Sequence, residues 1–335
     1  MHEIDLSKFN LRTDLIIEKN IENIKSREYQ ENNISVVDII LDKDNEDLKK
    51  KKGKYVTISF NDITDTNNYH HVLSILKKEL KEMFSFCKVK ENNSSLIIGL
   101  GNPKIISDAL GSKSLLDIIV TRHMYLIGDV DKKYRNVAIL EPNVIGITGI
   151  DSFEIIKNVV NEIKPDFVIC IDSLCAMNID RLNKTIQITS SGITPGSGIG
   201  NNREELSIDT LGVPVIAIGV PTVVDSTVIV SDTINYLLKK ISYMKNNVNN
   251  NLDKLKPINK INYLNEKEEL SIDEKREVLG YIGLLDSNKL KSLIWEVLSP
   301  VDANMIVTTK EIDFIIEKLG KLISEALNKT LHNIE

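Results

Sequence analysis

The stretch "FVICIDSLCAMN", residues 167–178, runs from five apolar residues into a carboxylate, Asp172, and continues with small and apolar residues. An apolar run of this length predicts a strand that is buried on both faces of a sheet. A carboxylate is costly to remove from water, so its position at the predicted strand end needs a reason. Two reasons stay open here: Asp172 caps a helix or orders a loop, or it is a functional acid.

Short apolar runs alternate with amphipathic stretches through the middle of the chain, which predicts crossover units on a mostly parallel sheet. The predicted strands cover residues 95–101, 136–141, 166–172, 185–189 and 213–219. Helices are predicted over residues 108–125, 151–164 and 225–241, and helical periodicity returns within 271–335. Residues 49–60 predict a solvated lysine-rich turn that leads into an edge strand.

Composition limits the classes of protein that are possible. The 335 residues are 42% hydrophobic and 27% charged, which is typical of a globular protein. A formal net charge of −6 offers no basic surface for nucleic acid or an anionic membrane. The chain has no apolar run of about 20 residues and no N-terminal signal sequence, so we expect a cytoplasmic protein. Its three cysteines lack metal-binding spacing, and we expect neither a disulfide framework nor a metal.

Ligands of open parallel sheets bind outside the carboxyl ends of the strands. Asp172 occupies such a position, and the loop after the first core strand brings Asp108 to the same edge. Two carboxyl groups held close together share a proton, so one can act as a base for water while the other acts as an acid. The sequence therefore offers the minimum equipment for peptide hydrolysis without a metal.

Other candidate sites carry weaker patterns. Gly99 and Gly101 follow a strand as in a dinucleotide-binding loop, but Lys104 stands where a third glycine is needed. Residues 194–203 are rich in glycine, yet they lack the ending of a phosphate-binding loop and fit a lid or substrate-binding loop better. His123 is either a polar residue on a helix face or a metal ligand near the proposed site.

Several blocks resemble, in order and over nearly the whole chain, the germination protease family of endospore-forming bacteria. They include "RTDLIIE" (12–18), "GLGNPKIISDALG" (99–111), "PDFVICIDSLCA" (165–176), "TIQITSSGITPGSGIGNNR" (185–203) and "TLGVPVIAIGVPTVVD" (210–225). The family is regarded as an atypical aspartic endopeptidase with one acid in each of two blocks. The resemblance implies that Asp108 and Asp172 are these acids, which favours the catalytic reading of Asp172.

The resemblance also implies a self-processing zymogen. The matching cleavage site is the Asp14–Leu15 bond, so residues 1–14 would form a leader. The implied substrates are the small acid-soluble DNA-binding proteins of spores, whose cleavage sites typically carry Glu where this chain has Asp14. A homotetramer in the cytoplasm of the forespore and the spore core is implied, without direct contact to nucleic acid or membrane.

The expected fold class is α/β, with a three-layer, mostly parallel central sheet flanked by helices, of the phosphorylase/hydrolase-like type, and a C-terminal helical extension. The expected division is a leader (1–14), a catalytic domain (15–244), a polar mobile insertion (245–270) and a C-terminal helical part packed on the core (271–335). Residues that could line or support the substrate groove are Asn102, His123, Gly196, Gly198 and Asn201. No metal and no cofactor are expected.

Two alternative functions remain. "GLGNP" (99–103) and "TRH" (121–123) are similar to segments of peptidyl-tRNA hydrolases, which are esterases. Those enzymes need His followed by Asn, whereas His123 is followed by Met124. A non-enzymatic nucleotide-binding module is the other alternative, based on Gly99, Gly101 and residues 196–200. It predicts stabilisation of the protein by nucleotide.

Overall fold

The computed structural model describes residues 13–18, 25–46, 48, 50–128, 130–196, 204–247, 263–265, 268–301, 303 and 305–334. The strands in these residues are β1 Ser26–Glu31, β2 Ile34–Leu41, β3 Gly53–Ser59, β4 Ser95–Gly99, β5 Val137–Leu140, β6 Phe167–Ala176, β7 Thr185–Thr189, β8 Val215–Asp225 and β9 Ile306–Val307. The helices are α1 Thr66–Phe86, α2 Leu110–Leu115, α3 Arg122–Ile127, α4 Ile145–Thr148, α5 Ser152–Ile163, α6 Ile208–Leu211, α7 Ser226–Asn247, α8 Ile272–Leu279, α9 Ser287–Leu298 and α10 Ile312–Leu331. The predicted α/β class is confirmed.

The sheet is mixed, with the described strands in the order β1-β2-β3-β7-β8-β6-β4-β5. On one side, β4 is parallel to both β5 and β6, so that Ile97 lies opposite Ile139 and Ile169. On the other side, β2 is antiparallel to β1 and β3, and β7 is antiparallel to β3 and β8. The prediction of a mostly parallel sheet is therefore wrong, because it holds only near β4.

The antiparallel part was missed because hairpins, not crossovers, connect its first strands. β1 and β2 are joined at Asn32 and Asn33, which adopt left-handed backbone angles of φ 50° and 63°. Asparagine tolerates this conformation, and two such residues are typical of a tight hairpin turn. The strand β3 is also not an edge strand, since β2 and β7 flank it.

The helix predicted over residues 108–125 is in fact two short helices, α2 and α3, preceded by a 3-10 helix at Ile106–Asp108. The interruption arises at Thr121, whose backbone N–H donates to the carbonyl of Val137 at 3.0 Å. The Thr121 hydroxyl also accepts the N–H of Val137 at 2.9 Å. Because these bonds tie Thr121 to the start of β5, a continuous helix cannot form.

The helix predicted between the second and third core strands forms as α5. The carboxylate of Asp151 accepts the N–H of Phe153 at 2.8 Å and so caps the first turn. The helix ends at Ile163, and Lys164 takes a left-handed conformation with φ 47° just before Pro165. The sequence signals for both helix ends are thus confirmed.

Helices cover the sheet on both faces, and the alternation of β6 shows which residues point to which face. Ile169 and Ile171 belong to a large cluster with residues of α1, α2 and α10. Val168 and Cys170 point to the opposite face and pack with α5. On β2 and β3, the face opposite to the α1 side packs around Ile16 rather than around a long helix.

The strand β6 is longer than predicted, and Asp172 lies inside it rather than at its end. The residues that follow, Leu174, Cys175 and Ala176, are all buried, and β8 runs alongside as a neighbour in the sheet. A Cβ at Gly219 of β8 would lie 2.5 Å from the Leu174 side chain. Glycine at this position therefore makes the room that lets β6 continue beyond its carboxylate.

Two glycines hold the loop of Asp108 against β4. A Cβ at Gly111 would lie 2.3 Å from the carbonyl oxygen of Leu100, and a Cβ at Gly99 would lie 2.6 Å from that of Gly111. Side chains do not approach backbone atoms so closely, so both positions require glycine. The first turn of α2 thus brings its backbone directly against the backbone at the end of β4.

We predict that Gly111→Ala destabilises the protein by about 1–3 kcal/mol, the range for an overpacked core, because the backbone of Leu100 must move. The free energy of unfolding from urea denaturation measures this. Gly146→Ala is the matched control, since a Cβ at Gly146 meets nothing within 4 Å. Equal stabilities for the two variants would contradict the assignment.

The end of α10 is held by a buried histidine, His332. Its Nδ1 accepts the backbone N–H of Arg135 at 3.0 Å, and its Nε2 lies 3.1 Å from the carbonyl of Ile119. Burial lowers the pKa of His332, and the nearby Arg135 guanidinium acts in the same direction. Because Nδ1 must be free of a proton to accept, the neutral imidazole fits this site.

We predict that the stability of the protein decreases as the pH falls below about 6.5, where histidine in the unfolded chain becomes protonated. The folded chain takes up this proton only at lower pH, so acid favours unfolding by up to about 1.4 kcal/mol per pH unit. Urea denaturation at pH 7.5 and pH 5.5 should show a smaller decrease for His332→Asn. The exposed His71 provides the control: His71→Asn should keep the wild-type decrease.

Residues Val224–Val307 group into a compact unit of their own, and residues Arg12–Val223 with Thr308–Glu335 form the unit that contains the main sheet. In the first unit, α7 packs against α9, and β9 pairs with Val224 and Asp225. Most of residues 245–270 lie outside the described residues. The domain boundaries suggested by the sequence therefore stay a prediction.

Candidate active site

Asp108 lies at the end of the 3-10 helix that follows β4. Its carboxylate accepts the backbone N–H of Asn102 at 2.8 Å, which closes the loop on itself. Gly101 has φ 100°, and a Cβ there would lie 2.1 Å from the carbonyl oxygen of Asp108. Only glycine fits this turn, so Gly101 fixes the position of the Asp108 backbone.

Asp172 is 5% exposed on β6 and points to the same sheet face as Cys170, two residues earlier. One of its oxygens accepts the N–H of Ser173 at 2.9 Å. Burial raises the pKa of the Cys170 thiol, and the negative charge of Asp172 raises it further. Cys170 is therefore a protonated core residue rather than a nucleophile.

The structure brings the segments of the two aspartates together at the carboxyl end of β4. Leu100 donates its N–H to the carbonyl of Ile171 at 2.8 Å, so the chain leaving β4 runs beside Asp172. Gly101 follows in contact with Asp108. The 3-10 helix that ends at Asp108 also contacts β6, and the hydroxyl of Thr222 donates to Ser107 at 2.6 Å.

Residues 13–18 are docked on the same unit as the two aspartates. The backbone N–H of Asp14 donates to the carbonyl of Cys175 at 3.3 Å, and the Cys175 N–H donates to the Asp14 carboxylate at 3.0 Å. Further along, the carboxylate of Glu18 accepts the N–H of Met177 at 2.8 Å. Leu15 is completely buried. This segment therefore lies along the end of β6, beginning three positions beyond Asp172.

The carbonyl oxygen of Asp14 accepts two hydrogen bonds from side chains. The Lys50 ammonium donates at 2.7 Å and the Gln187 amide donates at 3.0 Å. The other end of the Gln187 amide, Oε1, accepts the N–H of Ile16 at 2.8 Å. The Asp14–Leu15 peptide bond is thus held at its carbonyl oxygen by two donors, and the next peptide N–H, that of Ile16, is held by the Gln187 oxygen.

The docked Asp14–Leu15 bond and the groups bound to it, called the junction below, lie on the face of the sheet to which Asp172 points. In β7, Ile186 and Ile188 point to the α1 side of the sheet, so Gln187 between them points to the opposite side. Asp172 points to that opposite side as well, since Ile169 and Ile171 point to the α1 side. The docked junction and the buried carboxylate therefore occupy one surface.

Comparison with known proteins identifies the family. A sequence profile described as germination protease matches residues 5–334. The germination proteases of Bacillus velezensis, Bacillus mycoides and Bacillus cereus are 39%, 39% and 40% identical to this chain. Their matches cover 98–99% of this chain and 96% of each relative. The chain belongs to the germination protease family.

Members of the germination protease family are peptidases, so this chain is an enzyme that hydrolyses peptide bonds and acts in spore germination. An atypical aspartic mechanism is consistent with the family. The membership decides against the esterase and the nucleotide-binding module. No helix among the described residues has both the length and the apolar character needed to cross a membrane.

The glycines behind the nucleotide-binding alternative have structural roles in this germination protease family member. Gly99 and Gly101 are required by contacts with Gly111 and Asp108, within the chain itself. The second glycine-rich stretch begins at Gly196, which has φ 71° in a turn after Pro195. Ile193 and Leu206 exchange backbone hydrogen bonds at 2.9 and 2.8 Å.

Of the other residues predicted for the groove, some lie near Asp108 and others do not. Asn102 contacts Asp108 directly through its backbone. His123 is exposed on α3, beside the amino end of β5, so the structure does not bring it to the aspartates at the opposite strand ends. Gly196 lies in a turn after Pro195, whereas Gly198 and Asn201 lie outside the described residues. Within the described residues, no group of three or more His, Cys, Asp and Glu side chains could hold a metal ion.

Sequence reasoning missed two residues of the junction, Lys50 and Gln187. Lys50 belongs to the lysine run predicted to be solvated, but it reaches the Asp14 carbonyl. Gln187 carries a recognisable signal, since "TIQIT" (185–189) alternates polar and apolar residues although the strand is buried on both faces. A buried polar face of this kind indicates that polar groups are bound there.

We predict that Leu15→Ala loosens the docked junction, because removing a fully buried leucine side chain costs about 2–5 kcal/mol. The rate of limited trypsin cleavage at Arg12 and Lys19 should rise and is followed by mass spectrometry. Leu116→Ala is the control, as Leu116 is 74% exposed and should leave the rate unchanged. Unchanged cleavage in both variants would show that Leu15 does not hold the junction.

Proposed function

We propose that this germination protease is a self-processing aspartic endopeptidase that initiates degradation of small acid-soluble spore proteins. Asp108 and Asp172 act with one water molecule, and residues 1–14 are a leader released at the Asp14–Leu15 bond. The observation that carries the proposal is the docking of this bond on the surface of Asp172, through Cys175, Lys50 and Gln187.

The chemistry follows from a pair of carboxyl groups with one proton between them. The ionised aspartate takes a proton from water, and the water oxygen attacks the carbonyl carbon of the substrate. The protonated aspartic acid gives its proton to the peptide nitrogen as the C–N bond breaks. The products are a new carboxyl group and a new amino group, and the pair again holds one proton.

The docked junction supports the proposed substrate class. The backbone N–H of Asp14 donates to the carbonyl of Cys175 near the end of β6, and the Asp14 carboxylate accepts the N–H of Cys175. A substrate that binds this way must be unfolded locally and present an acidic residue before the cut. Small acid-soluble spore proteins, with Glu at the cleavage site, meet both conditions.

The organisation of the enzyme is part of the same proposal. Residues 15–244 form the catalytic domain, 245–270 form a polar insertion and 271–335 form a helical part. The active species is a homotetramer in the cytoplasm of the forespore and the spore core. Support comes from the resemblance to the family over nearly the whole chain.

We predict that Asp108→Asn and Asp172→Asn each slow loss of residues 1–14 by at least about a thousandfold, because general acid–base catalysis needs both groups. Full-length protein is incubated in mild acid, and its intact mass is followed for a product that begins at Leu15. Cleavage of a purified small acid-soluble spore protein is measured in parallel.

The control is Asp42→Asn, which removes an exposed carboxylate paired with Lys25 and should leave both reactions unchanged. Near-normal activity of either active-site variant would exclude the aspartate pair. Wild-type protein that cuts the spore protein but never yields a Leu15 start would exclude the self-processing step alone.

A further inference from the structure

The two donors on the Asp14 carbonyl are unlike in charge and origin. Lys50 comes from the loop between β2 and β3 and carries a positive charge, whereas Gln187 is a neutral side chain within β7. Both contact the same oxygen, at 2.7 and 3.0 Å. That oxygen is the atom on which negative charge develops when water attacks the carbonyl carbon of Asp14.

Gln187 is held in one orientation before any reaction occurs. Its backbone is fixed by pairing with Thr57 on one side and Gly219 on the other. Its Oε1 accepts the N–H of Ile16, which directs its Nε2 hydrogens to the carbonyl of Asp14. Because a reversed amide would place donor against donor and acceptor against acceptor, this orientation is the one that satisfies both ends.

Lys50 is positioned by its own backbone. Its N–H donates to the carbonyl of Asn45 at 3.1 Å, and its carbonyl accepts the N–H of Asn45 at 2.8 Å. This isolated bridge holds the loop over the junction. The neighbouring Lys51 is turned to a different place, where it pairs with Glu205 and Asp209. Lys50 therefore contacts the junction, whereas Lys51 contacts acidic side chains elsewhere.

We propose that Lys50 and Gln187 are catalytic residues that stabilise the oxyanion formed at Asp14 during leader removal, an inference that rests on the proposed function. An ammonium and an amide N–H bind a full negative charge more strongly than a carbonyl dipole. The stabilisation is therefore greater in the transition state than in the docked ground state, which is the condition for catalysis.

The step balances with one water molecule. The water oxygen bonds to the carbonyl carbon of Asp14, and the carbonyl oxygen becomes an oxyanion held by Lys50 and Gln187. When this intermediate collapses, the bond to the Leu15 nitrogen breaks and that nitrogen receives a proton from the aspartate pair. Asp14 leaves with a new carboxyl group, Leu15 has a free amino group, and neither donor changes its protonation state.

A purely inhibitory clamp makes the opposite prediction. If the two donors only held the leader in place, removing one would leave the rate of leader loss unchanged or increase it. An oxyanion role requires the rate to fall while residues 13–18 stay docked. The sign of the change in rate thus distinguishes the two roles.

The test uses full-length protein with the substitutions Lys50→Met, Lys50→Arg and Gln187→Glu, and Lys51→Met as the matched control. Glutamate at position 187 can still accept the N–H of Ile16 but has no N–H to donate. The first-order rate of leader loss is measured by intact mass. Trypsin protection at Arg12 and Lys19 reports docking, and thermal unfolding reports the fold.

We expect Lys50→Met and Gln187→Glu to slow leader loss by about 10²–10³-fold each, the usual effect of losing one oxyanion donor. Trypsin protection and thermal unfolding should remain as in the wild type in Lys50→Met. Gln187→Glu sets a carboxylate oxygen against the Asp14 carbonyl oxygen, so it should lose part of its protection, and its rate should fall by more than its protection does. Lys50→Arg should retain a larger share of the rate than Lys50→Met, because it keeps a cationic donor. Lys51→Met should cleave at the wild-type rate.

Three outcomes would overturn this inference. Rates in Lys50→Met and Gln187→Glu at or above the wild-type value would assign the donors to a clamp. A loss of rate that is no larger than the loss of trypsin protection would reduce them to docking contacts. If wild-type protein never produces a Leu15 start, the proposed self-processing fails and this inference fails with it, whereas the first two outcomes leave that proposal intact.

Discussion

The close contact between the backbones of Gly111 and Leu100 is the constraint on which the site depends. It leaves no space for a side chain, so the first turn of α2 has one position relative to β4. Asp108 lies two residues before α2, and Leu100 is hydrogen-bonded to Ile171 of β6. The Gly111–Leu100 contact and the hydrogen bond of Leu100 to Ile171 thus together position the loop of Asp108 relative to β6, the strand of Asp172.

The sequence indicated the parallel half of the sheet because its strands read as unbroken apolar runs, as in "SLIIG" (95–99). It did not indicate that β6 passes Asp172, since a buried carboxylate inside a strand is uncommon and the space for Leu174, further along β6, depends on Gly219 of another strand. The first hairpin could have been predicted from the sequence, because Asn32 and Asn33 are two adjacent residues of a type that favours a hairpin turn. Packing between distant segments, not local pattern, decided the rest.

The residues of the candidate site also fall into those that the sequence indicated and those that it did not. The rule for strand ends and the family resemblance pointed to Asp108 and Asp172. The rule holds for Asp108, which follows β4, whereas Asp172 lies inside β6 at the level where β4 ends. Lys50 could not be found from sequence, because a lysine in a run of lysines gives no sign of its partner. His123 illustrates the converse, since a histidine near a candidate loop in sequence lies on an exposed helix beside the other end of the strands.

The Gln187 amide forms its hydrogen bonds to the bound segment with two main-chain groups that flank Leu15. It therefore recognises the direction and spacing of a polypeptide without regard to its side chains, much as a neighbouring strand does. Any chain bound in this way must offer an N–H two positions after the acidic residue. Proline has none, so a peptide with proline at that position loses this contact whatever surrounds it.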